Sequence, residues 1–215
     1  MKHSARIEDV SLERFIVGPL QVNSYLLLSK TSALLIDPGF PEDELIACAA
    51  SLANLDERTA LLTHGHFDHK GACPRLQEMG WKIAVHENDK TLLTRSSSVF
   101  TFLGYPSAAL EPDIVFKGGE VIEIGGAEFT VQPTPGHSPG SVSCIEKNRR
   151  WAFTGDTLFA DSIGRTDLAG GDTDLIMQSV EILKSLLLPE TLVMPGHGGR
   201  ALFGTIQRIN PYLNT

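Results

Sequence analysis

The run His64-Gly65-His66-Phe67-Asp68-His69 constrains this chain more than any other feature, because it stands where one element ends and another begins. Ala60-Leu61-Leu62-Thr63 before it reads as a strand, and the residues from about Lys70 to Met79 read as a helix. Residues i and i+2 of an extended segment project to the same side, so His64 and His66 can grip one cation. Asp68 and His69 then face something beside it. A second cation is the natural candidate, since imidazole nitrogen and carboxylate oxygen are donors that Zn²⁺ and similar first-row ions accept.

Of the 7 histidines, those outside this run that carry a motif are His137, in Thr134-Pro135-Gly136-His137-Ser138-Pro139-Gly140, and His197, in Met194-Pro195-Gly196-His197-Gly198. Asp156 follows Gly155 in Phe153-Thr154-Gly155-Asp156-Thr157-Leu158-Phe159. Each places a ligand-type residue beside glycine, where the backbone can turn sharply and leave the approach clear. His86 ends a strand beside Glu87 without a motif partner and reads as structural, and His3 belongs to a polar terminal segment.

Elsewhere short β-rich runs alternate with amphipathic stretches. Strands are predicted at 25–28, 33–36, 82–85, 121–124, 128–132, 142–145 and 151–154. A helix is predicted after Pro41, with Leu45, Ile46, Ala49 and Leu52 on its apolar face, and another over about 174–187, capped by Asp172 or Thr173 and stopped by Pro189. Strands followed by helices in two halves predict an α/β arrangement of sheet and covering helices, and periodicity leaves the number of sheets open. The segment Ser96 to Pro106, with three aromatics between elements, reads either as a lid over a substrate or as an anchor to the core.

A length of 215 residues with 42% hydrophobic and 20% charged residues suits one folded domain over 1–215. The net charge of −8 supplies no basic face for a phosphate backbone, which argues against nucleic acid. No apolar run approaches the ~18 residues of a membrane span, and the N-terminus is too polar for a signal-peptide core, so a cytoplasmic location without membrane association is expected. Cys48, Cys73 and Cys144 show no paired spacing and read as small hydrophobes.

His-x-His-x-Asp-His, then Gly-His-Ser-Pro-Gly, Gly-Asp and Pro-Gly-His, in this order and over almost the whole chain, resemble the metallo-β-lactamase superfamily hydrolases. Gly155-Asp156-Thr157-Leu158-Phe159 and Gly164-Arg165-Thr166-Asp167 are most similar to the glyoxalase II branch, the hydroxyacylglutathione hydrolases. The resemblance implies a four-layer αβ/βα sandwich, two sheets face to face with helices outside, and a metal site at one edge. It implies that His64, His66 and His137 bind a first metal and Asp68, His69 and His197 a second, with Asp156 bridging. Zinc is the first expectation for the two divalent ions, with iron and manganese acceptable to the same donors. True β-lactamases typically use a second-site cysteine and lack the bridging aspartate, which turns the expectation away from β-lactams.

Two cations sharing a water lower its pKa toward neutrality, and Asp68 is the expected catalytic orienting group. No further acid is placed by motif to protonate a leaving amine, which favours a small-molecule thioester substrate, whose thiolate leaves unaided. Arg165 aligns with a basic residue near the glutathione carboxylate, so it is expected either to bind substrate or to pair with Asp167 and brace its loop. Asp167 stands where those enzymes tend to have an aromatic, and with 18 residues after His197 the sequence resembles the compact form, so the longer C-terminal helical region is not expected. The rival readings are a persulfide dioxygenase with one iron, which shares the Gly-Arg-Thr-Asp segment, and a phosphodiesterase of the same superfamily. A purely structural zinc site needs only four ligands and does not account for seven. The oligomeric state is not readable from the sequence.

Overall fold

The structure, a computed structural model, describes residues 5–94, 101–102, 104–105 and 109–214. Its strands build two sheets. The first runs in the order β1 (Ala5–Ile7), β2 (Val10–Val17), β3 (Val22–Leu28), β4 (Ser32–Ile36), β5 (Glu57–Leu61), β6 (Lys82–His86) and β7 (Ile114–Phe116). The second is ordered β13 (Ala201–Leu202), β12 (Leu192–Pro195), β11 (Trp151–Gly155), β10 (Val142–Glu146), β9 (Ala127–Pro133) and β8 (Val121–Ile124).

Alternation along the strands dictates the layers, because successive side chains point to opposite faces. Leu27, Leu34, Leu61 and Ala84 of the first sheet meet Phe129, Cys144, Phe153 and Met194 of the second in one buried core. Their neighbours Leu26, Leu35, Ala60 and Ile83 turn outward to pack under α1 (Asp43–Ser51) and α3 (Cys73–Glu78). On the far side Ile145, Ala152 and Val193 pack with Val180 and Leu183 of α5 (Thr173–Leu186) and with Phe203 and Ile206 of α6 (Phe203–Ile209). The result is the expected sandwich of helix, sheet, sheet and helix. Near the centre Tyr25 and Phe153 meet edge to face across the sheets, with ring centroids 5.2 Å apart.

The helix predicted over about 70–79 is two pieces, α2 (Phe67–Lys70) and α3. The break follows from packing. Ala72 N donates to Pro38 O at 2.9 Å, and a Cβ on Gly71 would collide with Gly39 O, so the chain lies against the turn after β4 before Pro74 restarts the helix. At α5, Asp172 is the cap, its side chain accepting from Leu175 N at 2.9 Å. Strands β1, β2, β7, β12 and β13 and the single turn α4 (Lys90–Leu93) were not predicted. Cys73 and Cys144 are buried and Cys48 half-buried, and none of the three forms a disulfide.

The two sheets are stitched together at one edge. Val142 N donates to Thr63 O at 2.8 Å and Asn23 N to Gly196 O at 2.7 Å, so the ends of β5 and β12 meet partners from the opposite sheet. That edge carries the carboxyl ends of β4, β5, β9, β11 and β12.

Candidate metal centre

All seven residues singled out as metal ligands converge at this edge. His64, His66 and His137 form one group of candidate donors, His64, His69 and Asp156 another, and Asp68, His69 and His197 a third, with donor atoms inside each group no more than 4.8 Å apart. In the first, Nδ1 of His66 lies 2.9 Å from Nε2 of His137. In the third, Nε2 of His69 and Nε2 of His197 are 3.3 Å apart, and Asp68 Oδ2 lies 3.3 Å from His197 Nε2. Asp156 stands between them, 3.6 Å from His137 Nε2, 3.5 Å from His69 Nε2 and 3.6 Å from His197 Nε2.

Local backbone explains each placement. The parallel register of β11 and β12 shifts between Phe153 and Gly155, and this irregularity with Gly155 at φ +48° aims Asp156 into the centre. A Cβ on Gly155 would strike Thr63 Oγ1, and one on Gly196 would strike Asp156 Oδ1 and come within 2.6 Å of His69 Cε1. These glycines are where the ligand loops pass closest. Asn23 Nδ2 donates to Pro195 O at 2.9 Å and Gly198 O at 3.0 Å, and Tyr25 Oη donates to Pro195 O at 2.9 Å, which holds the His197 loop against β3.

The outward nitrogens decide which imidazole atoms face inward. His137 Nδ1 donates to Arg165 O at 2.8 Å and His197 Nδ1 to Leu20 O at 3.0 Å, so that in the neutral form of each ring the Nε2 lone pair faces the centre. His64 is fixed through Asp37, a residue the sequence reading took only as part of a turn. Thr63 Oγ1 donates to Asp37 Oδ2 at 2.7 Å, so its oxygen is left to accept from His64 Nδ1 at 3.2 Å. Asp37 Oδ1 also accepts from Thr63 N at 2.7 Å, and Asp37 Oδ2 lies 3.0 Å from His69 Nδ1, off the line of a hydrogen bond. Asp89 was missed as well. Buried to 0% exposure, it accepts from Gly65 N, Ser138 Oγ and Gly140 N. Proximity of such acceptors in space leaves no spacing pattern in the chain.

Electrostatics match a cation site. Burial, reinforced by neighbouring histidines, pushes His64 well below the ordinary histidine range and His66 down to about 4, so both stand neutral with lone pairs available. Burial would raise Asp68 and Asp156, but His69 and His197 beside them outweigh it and hold both as carboxylates, Asp68 at about 2. Burial likewise opposes charge on His69, yet Asp156, Asp37 and Asp68 together raise it well above its usual value. Three carboxylates around one imidazole are a local demand for positive charge. Among the described residues His64 Nε2 and Asp156 Oδ1 have no hydrogen-bond partner, and both are buried where the candidate donors converge. The donor set fits divalent ions.

A cleft of about 590 Å³ opens onto the cluster, with Leu20, Phe67, Leu92 and Leu168 on its walls. Its two cationic side chains are both engaged. Lys70 Nζ donates to Leu92 O and Leu93 O at 2.7 Å, and Arg165 grips Asp167 bidentately, Nε and Nη2 each at 2.6 Å from a carboxylate oxygen. Of the two roles expected for Arg165, pairing with Asp167 is thus the arrangement seen. In the segment Ser96 to Pro106, residues 96–100, 103 and 106 lie outside the described residues. Tyr105 within it is an anchor, buried at 1% exposure with its ring edge-on to Phe40 and Phe67. His86 is buried beside the amide of Asn88 at 3.3 Å and takes no part in the cluster.

The family model described as the metallo-β-lactamase superfamily matches residues 17–197, from β2 through the last candidate ligand. The chain belongs to that superfamily. This superfamily member is a metal-dependent hydrolase, and its family implies divalent metal binding. It is 35% identical over 211 residues to the hydroxyacylglutathione hydrolase GloC of Haemophilus influenzae, covering 96% of this chain and 99% of that one. Among solved structures it is similar to the BLEG-1 B3 metallo-β-lactamase, with a TM-score of 0.84, 33% identity and coverage of 95% and 100%. It is also similar to TTHA1623 in a di-iron-bound form, with a TM-score of 0.79, 35% identity and coverage of 93% and 99%. No helix among the described residues is long and apolar enough to cross a membrane.

Proposed function

We propose that the chain is a thioesterase acting on hydroxyacylglutathione-like small molecules with two divalent ions. His64, His66 and His137 would hold one ion, Asp68, His69 and His197 the other, and Asp156 would reach both. Such a pair supplies Lewis acidity and a water acidified toward neutrality. Zinc suits the nitrogen-rich donors, and the di-iron form of a relative keeps iron as the alternative to assay.

The observation that carries the reading is that the described residues lining the cleft, apart from the proposed ligands, offer no uncommitted proton donor. Among the described residues lining it and outside the proposed ligands, the titratable side chains are Lys70, donating to two carbonyls, and Arg165, held by Asp167. An amine leaving group needs protonation as it departs; a thiolate, with a conjugate-acid pKa of ~8.5, does not. Asp68, held as a carboxylate, is an acceptor throughout the neutral range and orients the attacking water. The apolar walls take the acyl group and exclude bulk water. Arg165 remains the candidate contact for a substrate carboxylate, in competition with Asp167, so discrimination among thiol carriers is expected to be modest. The name of the Haemophilus relative supports the same substrate class.

The test is hydrolysis of S-lactoylglutathione by protein of measured metal content, beside an Asp156→Ala variant. Activity that follows two metals per chain and disappears in the variant supports the proposal. A fully metallated protein that leaves the thioester intact refutes it. Oxygen uptake with glutathione persulfide would assign the chain to dioxygenase chemistry, and turnover of phosphodiesters to phosphoryl displacement.

A further inference from the structure

Asp89 belongs to none of the three donor groups, yet it touches both loops that deliver the first of them. It ends the single turn Glu87–Asp89 after β6. Asp89 Oδ2 accepts from Gly65 N at 2.7 Å and from Ser138 Oγ at 2.6 Å, and Oδ1 accepts from Gly140 N at 2.6 Å. Gly65 lies between His64 and His66, in the loop after β5 of the first sheet. Ser138 and Gly140 follow His137, in the loop entering β10 of the second. One carboxylate therefore spans the sandwich directly behind the histidine trio.

The glycines make that approach feasible. A Cβ on Gly140 would lie 2.6 Å from Asp89 N and 2.7 Å from Asp89 Cγ, and one on Gly65 would lie 3.0 Å from Asp89 O. Ser138 is fixed as the third donor because its own hydroxyl lies 2.7 Å from Ser141 Oγ, which also accepts from Ser138 N at 3.1 Å. Among the described residues no cation pairs with Asp89, so its buried charge is balanced by these donors alone. Removing the charge would release both loops together.

We infer that Asp89 is a positioning residue that sets the separation of His66 and His137, and thereby the affinity of the His64, His66 and His137 group for its ion. The inference rests on the proposed metal reading. Asp68, His69 and His197 receive no hydrogen bond from the Asp89 carboxylate, which accepts from Gly65, Ser138 and Gly140; near that group lie Asp37, which also reaches His64 through Thr63, and Asn23, which holds the His197 loop. In Asp89→Asn the amide nitrogen has to face a backbone N–H or the Ser138 hydroxyl, so the three-donor clasp cannot be reproduced.

The experiment titrates chelated wild-type protein and Asp89→Asn with Co²⁺, resolving the two equivalents by visible absorption and competition with a chelator. Expected are two equivalents in the wild type, and in the variant one equivalent weakened about 10- to 100-fold with the other within about threefold. Far-ultraviolet circular dichroism should coincide for the two proteins. Ser138→Ala, which removes one of the three donors, should weaken the same equivalent by a smaller factor, and it carries the test if Asp89→Asn does not fold. Equal weakening of both equivalents, or wild-type affinity in a variant, overturns the inference while leaving the metal reading intact. A wild-type protein that binds no Co²⁺ overturns both.

Discussion

Replacing Thr63 by valine keeps the shape of the side chain and deletes one oxygen, which makes it a clean probe of how His64 is held. The hydroxyl donates to Asp37 Oδ2 at 2.7 Å and accepts from His64 Nδ1 at 3.2 Å. In the variant the Asp37 carboxylate loses a charge-assisted hydrogen bond, of about 1.5–3 kcal/mol, and the buried His64 N–H is left without an acceptor, costing about 1–3 kcal/mol. The backbone bond from Thr63 N to Asp37 Oδ1 survives, so the loss should total about 2.5–6 kcal/mol. Urea unfolding of chelated protein reads it as a fall in midpoint of about 1–2 M. His64 can also escape its orphaned proton by moving it to Nε2, which then faces the centre as a donor. Metal affinity should therefore drop about 10- to 100-fold, read by competition with a chelator. Thr63→Ser retains the oxygen and should lose only about 1 kcal/mol. A valine variant within about 1 kcal/mol of wild type, with its metal affinity intact, refutes the reasoning that Asp37 and Thr63 fix the His64 tautomer.

Gly196→Ala should fold, as judged by circular dichroism, but hold less metal per chain than wild type in elemental analysis, because the added methyl meets Asp156 Oδ1 and His69; a wild-type metal content would refute it. Asp167→Asn frees the Arg165 guanidinium, and KM for S-lactoylglutathione should fall by about two- to fivefold while a neutral thioester such as S-lactoyl-N-acetylcysteamine is unaffected; equal changes for both substrates count against a carboxylate contact. Metal loading at pH 7 should release protons, seen as a buffer-dependent heat in calorimetry, since His69 and His197 are raised by their carboxylate neighbours against the effect of burial. The sign is that proton competition weakens the Asp68, His69 and His197 group as pH falls below the raised His69 value, while His66 gives no competition until about pH 4. Heats independent of the buffer would contradict this.

The candidate donors that the structure brings together could be picked out in the chain because each carries its chemistry in a short local pattern. His64 and His66 need only the two-residue repeat of an extended segment, and His137, Asp156 and His197 each sit beside a glycine that lets loops pass closely. The layers followed where alternation was strong, as at Leu26-Leu27 and Leu34-Leu35, whose neighbours part to opposite faces. β2 escaped because Glu13 and Arg14 interrupt its apolar rhythm, and β12 because it has only four residues before the Pro-Gly-His turn. Asp37 and Asp89 were hidden for a different reason. Their partners, Thr63, Gly65 and Ser138, are remote in sequence, and a carboxylate that accepts from remote donors has no local signature. The break between α2 and α3 likewise depends on the Pro38–Gly39 turn rather than on the helix residues themselves.

The stitched edge of the sandwich has a mechanical consequence. His64, His66, Asp68 and His69 hang from the first sheet and His137, Asp156 and His197 from the second, so an ion held by either donor set is a cross-link between the two halves. Loading it closes a loop through the entire core, and removing it leaves the hydrogen bonds across the seam and the packing behind them to keep that edge shut. The amides of Asn23 and Val142, which bond across the seam, become natural gauges of this coupling. Their hydrogen exchange should quicken on chelation before that of amides at the sheet centres, because the donors proposed to hold the ions are the same residues that would tie one half of the sandwich to the other.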